Sequence, residues 1–231
     1  MKAAYDARWA PRSFEEAVFQ VIGSQNMDVF LGMAAAEADP FADYVRGKHV
    51  LEYGCGAGRL TKKLATLAHS YTAVDVSREM IAFAREYVSD VPGLELRVCD
   101  GVGSNIGGKY DFIFSCLVLQ HIFPDDVASI VRNLYKLLAR NGTMMLDFPK
   151  FGCSIYGEFK ENRYGPDTSP WCFAKPTVWS GDPMTSTHDA HGVVVYTEDD
   201  VRDIARRARV RKFEVIELPQ DGSHYYLRGG K

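Results

Sequence analysis

The 231-residue sequence lacks any C-x-x-C pair, and its five cysteines (Cys55, Cys99, Cys116, Cys153 and Cys172) are scattered and odd in number. That pattern argues against a disulfide framework and against a structural zinc site, and it fits a reduced compartment. Neither sign of charge dominates: 27 basic against 30 acidic side chains leave a formal charge of −3. No global positive field therefore exists to hold nucleic acid or an anionic membrane. Long apolar runs are missing too. The most apolar early stretch, residues 18–36, contains Gln20, Asn26 and Asp28, and the first twelve residues carry charges where a secretion signal needs an apolar core. These absences point to a cytoplasmic protein with neither a nucleic-acid nor a membrane partner. Against them stand 46% hydrophobic and 12% aromatic residues, enough for the core of a single domain.

Ser13 with Glu16 three residues on forms a capping box, and Phe14, Ala17, Val18, Val21 and Ile22 recur at helical spacing. A second helical run through Met27, Phe30, Leu31, Ala34, Ala35 and Ala38 is predicted to stop at Pro40. From His49 the rhythm changes. Short strands (HVLEY, YTAVDV, LELRV, YDFIFSC and TMMLDF) alternate with helical stretches near residues 59–68, 78–88 and 126–139. Such alternation predicts a parallel sheet covered by helices on both faces. Residues 149–196 break the pattern, with five of the ten prolines and with Trp171, Phe173 and Trp179, which predicts a lid or binding loop. Thr197 then caps a helix with an acidic start and a basic end, and FEVIEL and HYYLRG, joined by a turn-rich link, predict an antiparallel hairpin.

The chemistry concentrates where the first strand enters a glycine turn that opens a helix, Glu52-Tyr53-Gly54-Cys55-Gly56-Ala57-Gly58-Arg59. Glycines let backbone approach a ligand closely, and a helix start presents unpaired N–H groups to an anion. A dinucleotide fingerprint, G-x-G-x-x-G, would place its third glycine at position 59, where Arg59 stands. The observed order, an acidic residue followed by G-x-G-x-G, is a different pattern.

On these residues the chain resembles the class I S-adenosylmethionine-dependent methyltransferases, over roughly residues 50–148. The resemblance implies an α/β fold: a Rossmann-like, doubly wound, mostly parallel seven-stranded sheet closed by an antiparallel hairpin. It would be one domain, with a helical cap over 1–46, a cofactor-binding core over 47–148, an acceptor-covering insertion over 149–196, and a helix and hairpin over 197–231. It also implies S-adenosylmethionine as cofactor. Gly54, Gly56 and Gly58, with Tyr53, would cradle the cofactor while Glu52 meets its amine. Asp75 would accept from the ribose hydroxyls, and Val76 and Met80 would wall the adenine. Asp100 would accept from the adenine amino group beside the Gly101 amide, and Cys116 would lie at the exit of the fourth strand. His121 follows that strand and is the first candidate general base, with Asp147 the second. Tyr5 and Trp9 are expected to close over the cofactor, and Trp171, Phe173 and Trp179 to wall the acceptor. His188, Asp189 and His191 recruit no further ligand cluster, so no metal is expected. The expected activity is methylation of a small molecule, at oxygen rather than nitrogen. The competing readings are methylation of a protein, noncatalytic cofactor binding and a nicotinamide oxidoreductase.

Overall fold

A computed structural model describes residues 10–22, 26–122, 124–151, 153, 159–161, 172–174, 193–219 and 221–231. Tyr5, Trp9, Trp171, Trp179, His188, Asp189 and His191 lie outside the described residues, as does the side chain of Phe173. Two compact units are resolved: Met1–Ser115 with Asn133–Met144 and Lys231, and Cys116–Arg132 with Met145–Gly230.

The first unit opens with helix α1 (Phe14–Ile22) and helix α2 (Met27–Val45). Ser13 caps α1 by accepting from the Glu16 amide at 3.2 Å, while Glu16 reaches back to the Arg12 amide, one residue before the expected partner. Asn26 caps α2 by accepting from the Asp28 amide at 2.8 Å. Pro40 does not end that helix, which continues to Val45. A proline inside a helix forfeits one backbone hydrogen bond. Burial of Ala38, Phe41 and Val45 offsets the loss, with Phe41 stacked on Phe114 at 4.7 Å and Tyr44 stacked on Phe112 at 5.2 Å.

Strand β1 (His49–Tyr53) leads through the glycine turn to α3 (Arg59–Leu64) and a 3₁₀ turn (Ala65–Leu67). Then come β2 (Ser70–Asp75), α4 (Arg78–Tyr87), β3 (Leu94–Val98) and β4 (Tyr110–Ser115). Pairing among these strands is parallel throughout, with Tyr53 opposite Val74 and Asp75 opposite Val98. That register brings the carboxyl ends of β1, β2 and β3 to one edge, where open α/β sheets bind ligands.

Helix α5 (Pro124–Leu137) runs directly into β5 (Leu138–Pro149), two residues earlier than the periodicity suggests. The turn is made within the strand by Asn141 at φ 64° and by Gly142, where a β-carbon would lie 2.9 Å from the Tyr110 carbonyl oxygen.

Helix α6 (Glu198–Arg207) and strands β9 (Lys212–Leu218) and β10 (Asp221–Gly230) follow in the second unit. Thr197 and Asp200 complete a reciprocal capping box at the start of α6. The hairpin β9–β10 is antiparallel, and the seven strands run in the order β3-β2-β1-β4-β5-β10-β9. Within the segment read as aperiodic, β6 (Phe159–Glu161), β7 (Cys172–Ala174) and β8 (Val193–Val195) form a separate antiparallel sheet. Strands of three residues are too short to leave a period in the sequence.

Candidate functional site

The glycine turn of the first unit is a backbone device. Gly54, Gly56 and Gly58 have φ of 82°, 52° and 86°, a region that side chains disfavour. The Gly54 and Cys55 amides both donate to the Val74 carbonyl, at 2.8 and 3.0 Å, which joins the turn to the end of β2. A β-carbon at Gly56 would meet a Val21 methyl at 3.2 Å, and one at Gly58 would meet Val88 at 3.2 Å. Helix α1 thus lies against the turn. Ala57 shares a core cluster with Ala17, Val18, Phe30 and Met80.

Asp75 ends β2 and takes the Gly56 amide on one oxygen and the Ser77 amide on the other, both at 2.9 Å. The residue is part exposed at the carboxyl end of its strand. Val76 beside it is also part exposed. Met80, expected as a second wall, is 2% exposed and belongs to the core cluster.

Glu52 is buried beneath the turn. One of its oxygens accepts from Thr61 at 2.6 Å and from Tyr71 at 2.9 Å. Burial is the largest influence on its carboxyl and pushes it up to about 7, against the opposing pull of those two hydroxyls and of Arg59. A cation arriving beside it would favour the ionised form. Cys55 and Cys99, buried nearby, have thiols pushed up by the same loss of solvent, Cys99 to about 12. Neither is an activated nucleophile.

At the exit of β3, Asp100 builds its own loop. Its carboxylate accepts from the Val102 and Ser104 amides, both at 3.1 Å, and from the Ser104 hydroxyl. Burial acts to raise its pKa, but these bonds outweigh that and hold the carboxyl below its usual range. Asp100 therefore shapes the turn first, and any ligand must share it. Gly101 follows at φ 81°, its carbonyl accepting from the Tyr53 hydroxyl at 2.7 Å. Tyr53 accordingly fastens the exit of β3 to β1 through its side chain.

Composition and spacing did not reveal the anchor behind the turn. Arg59, 4% exposed, pairs with Glu37 of α2 and lies over the Phe30 ring at 6.0 Å. Glu37 falls in a run read only for its apolar spacing, and the partners of Glu52 likewise depend on tertiary packing.

In the second unit, the chain leaving β4 passes through Cys116, which is part exposed, to Leu117 at φ 59°. The Leu117 amide donates to both oxygens of Asp147, at 3.0 and 2.8 Å. Asp147 is thus engaged in holding this turn, which bears on its candidacy as a base. His121 closes the 3₁₀ turn Leu119–His121 and meets the Gln120 amide nitrogen through Nε2 at 3.1 Å. Among the described residues no group of three or more His, Cys, Asp or Glu could hold a metal, and no helix is long and apolar enough to cross a membrane.

A family model described as "Methyltransferase domain" matches residues 51–144, the stretch that carries the glycine turn, Asp75 and Asp100. This stretch is similar to a methyltransferase domain. The chain is similar to malonyl-[acyl-carrier protein] O-methyltransferase 1 of Ilyobacter polytropus, 32% identical over 61% of this chain and 53% of that protein. It is also similar to nodulation protein S of Azorhizobium caulinodans, 35% identical over 44% of this chain and 49% of that protein. The chain thus spans about half the length of these curated relatives. In fold it is similar to magnesium protoporphyrin IX methyltransferase from Synechocystis PCC 6803 with bound SAH. That likeness has a TM-score of 0.65 at 16% identity and covers 100% of this chain and 99% of the other.

Proposed function

We propose that this protein uses S-adenosylmethionine to methylate a small-molecule acceptor, at oxygen in preference to nitrogen. The observation that carries the reading is the hydrogen bond from the Gly56 amide to Asp75. It ties an anion-receiving turn to the carboxylate that ends β2, the two features a carboxylate-bearing nucleoside needs side by side. The donor set fits the cofactor. The Gly54–Gly58 turn is a cradle that a β-carbon at Gly56 would narrow. Glu52 offers a buried carboxyl to an ammonium, Asp75 offers acceptors to ribose hydroxyls, and Val76 with the Gly101 amide offers an adenine edge. Asp100 and Cys116 complete the proposed set.

When bound, the cofactor supplies an electrophilic methyl on a sulfonium, which leaves as a neutral thioether. The protein's part is to align the acceptor, exclude water and remove a proton where the acceptor is a hydroxyl. His121 is the proposed base for that proton. The preference for oxygen draws support from this base and from the name of the Ilyobacter relative, an O-methyltransferase.

The reading is tested by incubating the protein with methyl-labelled S-adenosylmethionine and an extract of the source organism, then separating small molecules from macromolecules. Label in the small-molecule fraction is expected. Label confined to protein would move the acceptor class to protein side chains. Calorimetric binding of S-adenosylhomocysteine without transfer to any fraction would leave a noncatalytic binding protein.

A further inference from the structure

The second unit holds a buried polar cluster that the proposed chemistry does not use. Asp221, at the start of β10, accepts from the Ser223 amide at 3.0 Å, the Ser223 hydroxyl, the Tyr226 hydroxyl at 2.6 Å and His224 Nδ1 at 2.9 Å. His224 is 6% exposed, and its other nitrogen, Nε2, faces Asp147 at 4.0 Å. Asp147 is 1% exposed and spends both oxygens on the Leu117 amide. Leu117 has the left-handed φ of 59°, a strained conformation for a non-glycine residue that persists only where its surroundings impose it. Two residues on, the 3₁₀ turn carries His121.

We infer that His224 is a positioning residue: protonated on both nitrogens between Asp221 and Asp147, it fixes the carboxylate that holds the Leu117 turn and so the placement of His121. The groups that meet the ring include Asp221, Ser223 and Tyr226 from β10 and Asp147 from β5. Asp221 is within hydrogen-bond distance of Nδ1, and Asp147 at 4.0 Å is within ion-pair reach of Nε2, so carboxylates on opposite sides of the ring favour its cationic form. Burial acts to raise the Asp221 pKa, but its bonds to His224, Ser223 and Tyr226 bring it well below the usual carboxylate range, so it meets the ring as an anion. Burial and the charges of Asp147 and Asp221 push the Tyr226 hydroxyl up, and it remains a donor.

The role in placing His121 rests on the methyltransferase reading, whereas the link from His224 to Leu117 does not. Asparagine reproduces the Nδ1 side of histidine and glutamine the Nε2 side, so the two variants separate the partners. His224→Asn keeps a donor for Asp221 and loses the one toward Asp147. Its label transfer from S-adenosylmethionine should fall about 10-fold or more, with S-adenosylhomocysteine affinity within about 2-fold of wild type and Leu117 amide exchange about 10-fold faster. His224→Gln should recover most of the transfer and the slow exchange. Equal losses in both variants, or losses that follow the melting temperature alone, would overturn the proposal. So would a ring whose nitrogen NMR shifts show a neutral imidazole at pH 7. If wild-type protein transfers no label, the methyltransferase reading fails, while the exchange and ring measurements still decide whether His224 governs the turn.

Discussion

A methyl of Val21, on the first helix, stands 3.2 Å from where a β-carbon at Gly56 would lie, so the helical cap and the glycine turn are in direct packing contact. Position 56 has φ 52° in addition. Gly56→Ala therefore combines backbone strain with a clash. It should lower stability by roughly 1–2 kcal/mol and weaken S-adenosylhomocysteine binding more than 10-fold. Thermal melts and calorimetry on the same sample check both figures. Unchanged binding in a folded variant would detach the turn from the cofactor.

Asp75→Ala removes the acceptor for the Gly56 and Ser77 amides together with the proposed ribose contact. The expected loss in cofactor affinity is on the order of 1–3 kcal/mol, or roughly 5- to 150-fold. A folded variant with wild-type affinity by calorimetry would remove Asp75 from the site.

Glu52 gives a prediction with a sign. Its carboxyl is at 4.5 in the unfolded chain and is pushed up to about 7 by burial. Across that window the folded state holds a proton that the unfolded state has released, so stability falls as pH rises, by roughly 3 kcal/mol at most. Glu52→Gln keeps an acceptor for Thr61 and Tyr71 without this loss. Its melting temperature should exceed wild type at pH 8 and match it near pH 4.5, while its cofactor affinity falls. In wild type, cofactor binding near pH 6.5 should release protons, which calorimetry in buffers of different ionisation enthalpy would detect.

Much of this was legible from local pattern. The spacing of Gly54, Gly56 and Gly58, the strand ends at Asp75 and Asp100, and the Thr197 cap depend on neighbours a few residues away, and short-range rules reach them. Pro40 was misread as a stop because its local cost is visible in sequence, whereas the packing of Phe41 on Phe114 is not. Met80 fits both a pocket wall and a core stripe by spacing, and only the position of α1 decides between them. The contacts from Asp147 to Leu117, 30 residues away, and to His224 join separate segments that no periodicity connects.

The Arg59–Glu37 pair predicts an asymmetry. Arg59 is nearly enclosed, with a side chain 5% exposed against 21% for Glu37. Glu37→Leu strands a buried cation and should cost about 2–3 kcal/mol, whereas the double variant Glu37→Leu with Arg59→Met should regain most of it. Chemical denaturation of the wild type, Glu37→Leu, Arg59→Met and the double variant measures the coupling. Equal stability of the single and double variants would mean that the pair does not anchor α2.

The two compact units interleave along the chain, which passes between them at 115/116, 132/133, 144/145 and 230/231. Neither unit is a single uninterrupted segment: the first is made of three stretches and the second of two. A recombination event with one breakpoint anywhere within residues 116–230 would therefore divide both units at once.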